Sequence, residues 1–428
     1  MALFDRRALN PGVQRREVLA WAGYDFANSG YTTVVLTAVF NAYFVGVIAG
    51  ATEWATLAWT ATLAVSNLLV MLAMPAIGAA ADRRGTKKKW LAAATIGCVA
   101  ATAGLALCGR GEVALAATLI IISNFAYSMG EALCGAFLPE LARAEALGKV
   151  SGWGWSFGYL GGMLALGLSL AWVLQAQGRG EGAEQFVPAT MLITAAIYLV
   201  AAIPFFLVLR ERTQGNTTAN AMGSLREVVA AIGRTRGYPD FRRLLWTGTA
   251  YQCGIAVVIA LAAVYAEAAM GFKQTETMML VFLVNIAAAG GAFAFGYVED
   301  RIGHRSALAA TLVGWMAMIA IAAIGTSRPM FWVAATLAGL CMGSSQSCGR
   351  ALVGAFAPAS RLAEFYGLWA FATRLAAIIG PLTYGLVTWA TAGNHRLAIA
   401  LTGMFFVAGL ALLSGINVAR GEARAAAG

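Results

Sequence analysis

The amino-acid sequence predicts an all-α integral membrane protein, with twelve transmembrane helices arranged as two pseudo-symmetric six-helix bundles. Of the 428 residues, 60% are hydrophobic and only 12% are charged, whereas a soluble domain carries about 25% charged residues. The apolar residues form long, unbroken runs. A ten-residue sequence from the first half also returns in the second half. Together these features predict a duplicated helical protein that faces lipid along most of its length.

The apolar runs are continuous rather than alternating, which favours helices over a β-barrel. A helix needs about 20 apolar residues to cross the hydrocarbon core of a bilayer. We therefore predict helices at residues 17–47, 54–81, 89–108, 112–138, 150–176, 188–209, 241–268, 276–298, 305–326, 329–357, 364–390 and 395–418.

The repeat consists of residues 130–139, GEALCGAFLP, and residues 349–358, GRALVGAFAP, which are identical at seven of ten positions. Its charged position differs, with Glu131 in the first copy and Arg350 in the second. Opposite charges at equivalent points of a duplicated membrane protein predict a site at the interface of the halves. The expected domains are an N-terminal bundle at 1–210, a cytoplasmic linker with an amphipathic helix at 211–240, and a C-terminal bundle at 241–428.

Within the linker we expect a flexible stretch at 213–220 and an amphipathic helix at 225–232 that lies on the membrane surface.

The net charge of +10 is distributed unevenly between the predicted loops. Of the 30 lysines and arginines, 23 fall on the side that holds the N-terminus, 5 on the other side and 2 inside helices. The positive-inside rule then places both termini in the cytoplasm. We expect the membrane to be the plasma membrane, the inner membrane of a bacterium. Membrane topology accounts for the basic clusters, so nucleic-acid binding is not expected.

The sequence contains no pattern typical of a metal site, a cofactor site or an enzyme. Six cysteines lie in apolar runs without metal-ligand spacing, and the chain has only two histidines. No phosphate-binding Gly-x-x-x-x-Gly-Lys-Ser/Thr loop and no nucleophile–base pair is present. We therefore expect neither a metal nor a cofactor, and we expect that any transport draws its energy from a gradient.

Two predicted helices carry polar residues at positions i, i+3, i+4 and i+7, which share one helix face. They are Asp25, Asn28, Ser29 and Thr32 in the first helix, and Asn124, Tyr127, Ser128 and Glu131 in the fourth. An ionisable residue inside the membrane is costly and marks a functional candidate. The alternative is a hydrogen-bonded hub that only fixes helix packing.

The second half supplies the opposite charge. Gln346 and Arg350 lie one turn apart in the tenth predicted helix, and Arg374 lies about ten residues into the eleventh. Because arginine stays charged at any relevant pH, Arg350 and Arg374 need anions. These anions are Asp25, Glu131 or a substrate carboxylate.

A second sequence pair, at an offset of 218 residues, follows the second and eighth predicted helices. The shared pattern is a glycine, an Asp-Arg pair and a second glycine, and its members are Asp82, Arg83 and Gly85 in the first half and Asp300, Arg301 and Gly303 in the second. The glycine can end a helix, and the aspartate can cap the N-terminus of a neighbouring helix. This pattern resembles the cytoplasmic loop signature of the major facilitator superfamily, and the resemblance implies that these six residues belong to a gate.

Further motifs resemble the vacuole-effluxer-like branch of that superfamily, the autophagy-related amino-acid permeases and their bacterial relatives. They are YDFANS at 24–29, the glycine-rich stretch 151–162, Gln346 with Arg350, and EFYGL at 364–368. The resemblance spans the whole chain. It implies export of amino acids for the fungal members and a transporter for the bacterial ones.

We therefore expect a monomeric secondary transporter that works by alternating access, with its site near the midplane between the halves. Acids in one half and arginines in the other suit a zwitterionic, amino-acid-like solute, with a proton or another ion as the coupling partner. The alternatives are an exporter of lipid or drug-like compounds with the same fold, and a membrane receptor. Beyond its solute, the expected partner is membrane lipid.

Glu131 and Arg350 are expected to approach when the cytoplasmic mouth closes. The competing arrangement pairs Arg350 with Asp25 and leaves Glu131 protonated.

Overall fold

The computed structural model describes residues 4–50, 52, 54–212, 225–270, 274–325 and 327–427. Within these residues, twelve long helices form most of the chain. In chain order they are α1 Arg15–Ile48, α2 Ala55–Arg84, α3 Lys87–Gly104, α4 Val113–Gly135, α5 Leu147–Gly178, α6 Ala183–Val208, α7 Pro239–Met270, α8 Gln274–Ile302, α9 His304–Ile324, α10 Arg328–Phe356, α11 Leu362–Ala390 and α12 His395–Ser414. Short helices at Leu225–Arg234 and Val418–Ala427 precede α7 and follow α12.

Each predicted apolar run coincides with one of these helices. The largest displacement, five residues, is at the start of α6, which was predicted at 188 and begins at Ala183. The helix starts earlier because the side chain of Gln185 accepts a hydrogen bond from the N–H of Gly182 at 2.8 Å, which caps its polar first turn. α1 departs from regular geometry, since it continues beyond Tyr31 as two π-helical stretches, Thr32–Ala38 and Phe44–Ile48.

Ten of the twelve helices are long and apolar enough to cross a membrane by length and composition alone, among the described residues. The other two are α7 and α10. The hydropathy of α10 is diluted by four consecutive polar residues at 344–347. A polar stretch of this kind is tolerated where a helix faces protein or water rather than lipid.

The contacts between helices repeat after a shift of six helices, which defines two bundles. In the first bundle α1 packs on α5 and α6, α3 packs on α4 and α6, and α2 packs on α4. In the second bundle α7 packs on α11 and α12, α9 packs on α10 and α12, and α8 packs on α10. This repetition is the structural counterpart of the sequence offsets of 218 and 219 residues.

The bundles meet through two equivalent helix pairs, α2 with α11 and α5 with α8, and α4 and α10 also contact the opposite bundle. An added Cβ at Gly78 would lie 2.2 Å from the carbonyl oxygen of Ala363, and one at Gly152 would lie 2.4 Å from that of Ala292. Glycine is therefore required at both positions for the backbones to approach this closely. Because α2 and α8 end, and α5 and α11 begin, on the side of the chain termini, these contacts close that side.

The linker helix, Leu225–Arg234, contacts α2 of the first bundle and α11 of the second. It ends with Arg234, whose guanidinium lies 2.6 Å from the carboxylate of Glu364 near the start of α11. A helix at this place agrees with the amphipathic helix expected at 225–232. The stretch expected to be flexible, 213–220, lies outside the described residues.

Candidate functional site

The first Asp-Arg motif, Asp82, Arg83 and Gly85, caps a helix of the opposite bundle. The carboxylate of Asp82, at the end of α2, accepts hydrogen bonds from the backbone N–H groups of Ala363 and Glu364 at 3.0 and 2.8 Å. These groups belong to the first turn of α11, where N–H donors have no partner within the helix. Gly85 ends α2 with φ of 58°, a left-handed conformation that glycine adopts without strain. Arg83 is half-buried beside them.

The second Asp-Arg motif, Asp300, Arg301 and Gly303, caps the first turn of α5. Asp300, near the end of α8, accepts a hydrogen bond from the backbone N–H of Lys149 at 3.2 Å and lies 3.7 Å from its ammonium group. Gly303 has φ of 85° between α8 and α9, and Arg301 is exposed. The two aspartates thus hold the two halves together at equivalent points, which agrees with the helix-capping role predicted for the motif.

Arg350 and Asp25 form a buried ion pair between the bundles. The guanidinium lies 2.6 Å from the carboxylate, and the side chains are only 9% and 12% exposed. Ser151 on α5 accepts two further hydrogen bonds from the guanidinium, one through its hydroxyl at 3.1 Å and one through its carbonyl at 2.7 Å. The guanidinium also lies 4.7 Å from the ring centre of Trp21 and 5.3 Å from that of Trp155. The charge is therefore neutralised and enclosed.

Glycines of α5 make room for this pair. A Cβ added to Gly154 would lie 2.4 Å from a carboxylate oxygen of Asp25, and one added to Gly158 would lie 2.9 Å from the hydroxyl of Ser29. A Cβ added to Gly162, one turn further on, would lie 2.7 Å from the hydroxyl of Thr33. The glycine-rich stretch of α5 thus matches a row of polar residues on α1, turn by turn, and it serves close packing.

Glu131 and Arg374 form a second ion pair between the bundles, and this one is accessible. The guanidinium of Arg374, on α11, lies 2.8 Å from the carboxylate of Glu131, on α4. The side chain of Glu131 is 37% exposed and that of Arg374 is 17% exposed. The ring of Tyr127, one turn before Glu131, lies 5.7 Å from the guanidinium. This pair therefore leaves a carboxylate partly exposed within the membrane-spanning region.

The expected pairing of Glu131 with Arg350 was wrong for this closed terminal side. Arg350 pairs with Asp25, as in the competing arrangement, but Glu131 pairs with Arg374 instead of standing alone. The physical reason lies in how the helices meet. α4 contacts α11, so that Arg374 reaches Glu131, while Arg350 points into the space that the glycines of α5 leave open.

The polar residues predicted on one face of α1 contact two different helices, α5 and α6. Asp25 and Ser29 face α5, whereas Asn28 accepts a hydrogen bond from the hydroxyl of Tyr198 on α6 at 2.7 Å. The amide nitrogen of Asn28 is buried and has no hydrogen-bond partner among the described residues. Asn28 therefore belongs to the interior of the first bundle rather than to the interface.

Two other predicted site residues bind neighbouring helices. Asn124 donates a hydrogen bond to the hydroxyl of Ser66 on α2 at 2.9 Å, and both residues are buried. Gln346 accepts a hydrogen bond at 2.7 Å from the amide of Gln252 on α7. Asn124 thus joins helices of one bundle. The half-buried Gln346 and the buried Gln252 form an amide pair within the other.

Ser151, Trp21 and Trp155 surround Arg350, but sequence reasoning did not place them at the site. One signal was available for Trp21, which lies four residues before Asp25 and therefore on the same helix face. No comparable signal marks Ser151, because its contact with Arg350 depends on how α5 meets α10. Among the described residues, no cluster of three or more histidine, cysteine or acidic residues has the geometry to hold a metal ion.

Residues 44–426 match the family model described as vacuole effluxer Atg22 like. The chain belongs to this family. Its match covers both bundles and includes every charged residue of the two ion pairs except Asp25, which precedes it.

Among curated proteins, the Atg22-like chain is similar to the MFS-type transporter YxiO of Bacillus subtilis. The two are 25% identical over 406 residues, which cover 92% of this chain and 93% of the relative. It is also 23% identical over 310 residues to autophagy-related protein 22-1 of Penicillium rubens. That match covers 65% of this chain and 50% of the fungal protein, so the chain spans about half the length of this relative.

The solved structure of the human organic anion transporter MFSD10 superposes on the Atg22-like protein with a TM-score of 0.73 at 17% sequence identity. The match covers 94% of this chain and 100% of that chain. An identity this low shows a shared fold, the major facilitator fold of twelve helices in two bundles. The Atg22-like protein is accordingly an integral membrane transporter of the major facilitator type.

Proposed function

We propose that this transporter moves a small zwitterionic, amino-acid-like solute and binds it between Glu131 and Arg374. The observation that carries the proposal is their half-exposed ion pair, contributed by two different bundles within the membrane. The resemblance of the sequence motifs to the vacuole-effluxer-like branch, which implies amino-acid export for its fungal members, supports the same class of solute.

The chemistry of binding is an exchange of partners. The solute's ammonium group replaces Arg374 at the carboxylate of Glu131, and its carboxylate replaces Glu131 at the guanidinium of Arg374. Hydrogen bonds to charged groups each contribute roughly 1.5–3 kcal/mol, so a solute that lacks either charge leaves one protein charge unpaired. This arrangement selects zwitterions over simple anions and cations.

The buried pair of Asp25 with Arg350 serves as the coupling element in this proposal. In this proposal Asp25 takes up a proton once Arg350 has moved away, since a neighbouring guanidinium favours the charged carboxylate. Since the two residues belong to different bundles, separating the bundles separates the pair. Proton binding would then accompany the change from one open side to the other.

In an alternating-access cycle, the closed terminal side defines which conformation the protein adopts here. The helix caps by Asp82 and Asp300 close that side, so the exposed carboxylate of Glu131 is reached from the opposite side. With both termini cytoplasmic in a plasma membrane, this conformation is outward-open. Its inward-open counterpart requires both caps to break.

Counterflow of labelled amino acids into proteoliposomes tests the binding proposal. We expect Glu131→Gln and Arg374→Gln each to lower counterflow at least roughly tenfold, because each leaves one charge of the solute without a partner. The matched control is Arg110→Gln, which breaks a surface ion pair of the same 2.8 Å separation with Glu184 and should transport normally.

Competition by solute analogues separates this proposal from its alternatives. An amino-acid amide lacks the carboxylate and an N-acetyl amino acid lacks the ammonium group, so both should compete much less well than the parent amino acid. Equal competition by the amide would contradict the zwitterion proposal. Counterflow of a lipid or drug-like compound without counterflow of amino acids would favour the alternative exporter.

A further inference from the structure

A cleft of about 500 Å³ opens on the terminal side of the first bundle, away from both ion pairs. It lies where the first turns of α1 and α3 meet the last turn of α6. Its lining residues are Arg16, Lys88, Leu207, Val208, Leu209, Arg210 and Glu211. Because helices that cross the membrane begin and end here, the cleft lies at the level of the lipid headgroups.

Two arginines at this cleft have no internal partner. Within the described residues, the exposed guanidinium groups of Arg16 and Arg210 form neither an ion pair nor a hydrogen bond. Their neighbour Arg212, in contrast, binds the carboxylate of Glu17 through two hydrogen bonds of 2.9 Å. The cleft therefore presents positive charge that no described residue neutralises.

The acidic residue of the cleft is already engaged. The carboxylate of Glu211 accepts hydrogen bonds from the backbone N–H groups of Lys87 and Lys88, at 2.8 and 3.2 Å, and so caps α3. The ammonium group of Lys88 donates to the carbonyl of Leu209 at 2.7 Å. An ammonium group has three donors, so two remain for a ligand beside the two free guanidinium groups.

One wall of the cleft is apolar and faces lipid. Leu207, in the last turn of α6, is 78% exposed, and the neighbouring Val208 is half-buried. A leucine this exposed at the end of a membrane-spanning helix contacts acyl chains. The cleft therefore joins a cationic surface to a hydrocarbon-facing one.

We propose that this cleft is a binding site for one anionic phospholipid, with the phosphate held by Arg16, Lys88 and Arg210 and an acyl chain against Leu207. Basic pockets between transmembrane helices bind anionic headgroups through phosphate–cation contacts. A free phosphate shares the headgroup chemistry but cannot use the apolar wall, which favours the lipid as the source.

The site connects to the core of the first bundle. Leu209 and Glu211, which contact α3, belong to the same segment as Arg212, which binds Glu17 of α1. A lipid that holds this segment against α1 and α3 adds stability to the folded state alone, by mass action. Binding should therefore raise the temperature of unfolding.

The test uses the purified full-length protein in neutral detergent. Native mass spectrometry and thermal unfolding are followed while dioleoylphosphatidylglycerol, dioleoylphosphatidylcholine or inorganic phosphate is added. We expect phosphatidylglycerol to bind saturably and raise the unfolding temperature, with little effect of the other two. Combining Arg16→Gln with Arg210→Gln should weaken phosphatidylglycerol binding at least roughly tenfold, since each basic residue near an anionic surface contributes to it.

Two double variants serve as controls for the binding of phosphatidylglycerol. Arg236→Gln with Arg242→Gln removes two exposed arginines from the same side of the protein and should bind phosphatidylglycerol within about twofold of the parent. Arg16→Lys with Arg210→Lys keeps the charge and should retain most binding. Equal binding by the glutamine and parent proteins, or equal binding of phosphatidylcholine, overturns the proposal. Stabilisation by inorganic phosphate as strong as that by phosphatidylglycerol also overturns it, because the ligand is then not a lipid.

Discussion

Asp25, Glu131, Arg350 and Arg374 lie within the helices and form two ion pairs, each of which joins an acid of the first bundle to an arginine of the second. The pairs differ in exposure, since Asp25 and Arg350 are enclosed whereas Glu131 is half-exposed. Removing one partner of a buried pair costs roughly 3–5 kcal/mol. The first pair is thus enclosed between the bundles, whereas the carboxylate of the second is partly accessible.

Asp25 permits a direct test of coupling at the residue scale. In Asp25→Asn the side chain can no longer bind or release a proton, so uptake driven by a proton gradient should be lost while exchange of labelled solute continues. Proteoliposomes with and without an imposed gradient measure both activities, and Glu145→Gln, an exposed surface change, is the control. Normal uphill transport by Asp25→Asn would remove Asp25 from the coupling role and leave it a structural one.

At the scale of the element, α5 shows how one helix can position a site without contributing a charge. Its glycines follow α1 turn by turn, so that the backbones approach closely and the side chains of Asp25 and Ser29 fit between them. Its first turn is capped by Asp300 of the other bundle. The same helix therefore encloses one ion pair and is capped by a residue of the opposite bundle.

Two glycines of α5 give a matched comparison. A Cβ at Gly154 would lie 2.4 Å from Asp25 and 2.6 Å from Arg350, whereas one at Gly167 would meet no atom within 4 Å. Gly154→Ala should destabilise the protein by about 1–3 kcal/mol, the usual cost of overpacking, and reduce transport. Gly167→Ala should be neutral or slightly stabilising, because alanine favours helix. Thermal unfolding in detergent measures both, and equal effects would contradict the packing role of Gly154.

At the scale of the whole molecule, the two bundles are held closed on one side by equivalent devices. Asp82 caps α11 and Asp300 caps α5, so opening the terminal side must break charge-assisted hydrogen bonds at both points. States of a transporter differ by only a few kcal/mol. In the proposed transport cycle, both caps must therefore break when the terminal side opens.

Cysteine accessibility tests this gate. The six native cysteines are buried, so Glu131→Cys introduces one exposed thiol. A membrane-impermeant thiol reagent should label it from the side opposite the termini. Adding Asp82→Asn, which leaves only one acceptor oxygen for two backbone donors, should raise labelling from the terminal side at least roughly tenfold. Asp5→Asn, near the exposed N-terminal turn, is the control, and unchanged labelling with Asp82→Asn would contradict the gate.

The sequence by itself determined the elements and their duplication. Apolar runs define helices because the bilayer forces every buried backbone group into internal hydrogen bonds, and the repeats around Glu131 and Asp82 identify the two halves. It also identified the four intramembrane charges, since such residues are costly and therefore rare. Only the tertiary structure decided their partners. Arg350 could have met Glu131 or Asp25, and Asn28 could have faced the interface or α6. The outcome depends on how helices from distant parts of the chain are rotated and how closely they approach. That choice rests on contacts such as Gly154 with Asp25, which no local pattern encodes.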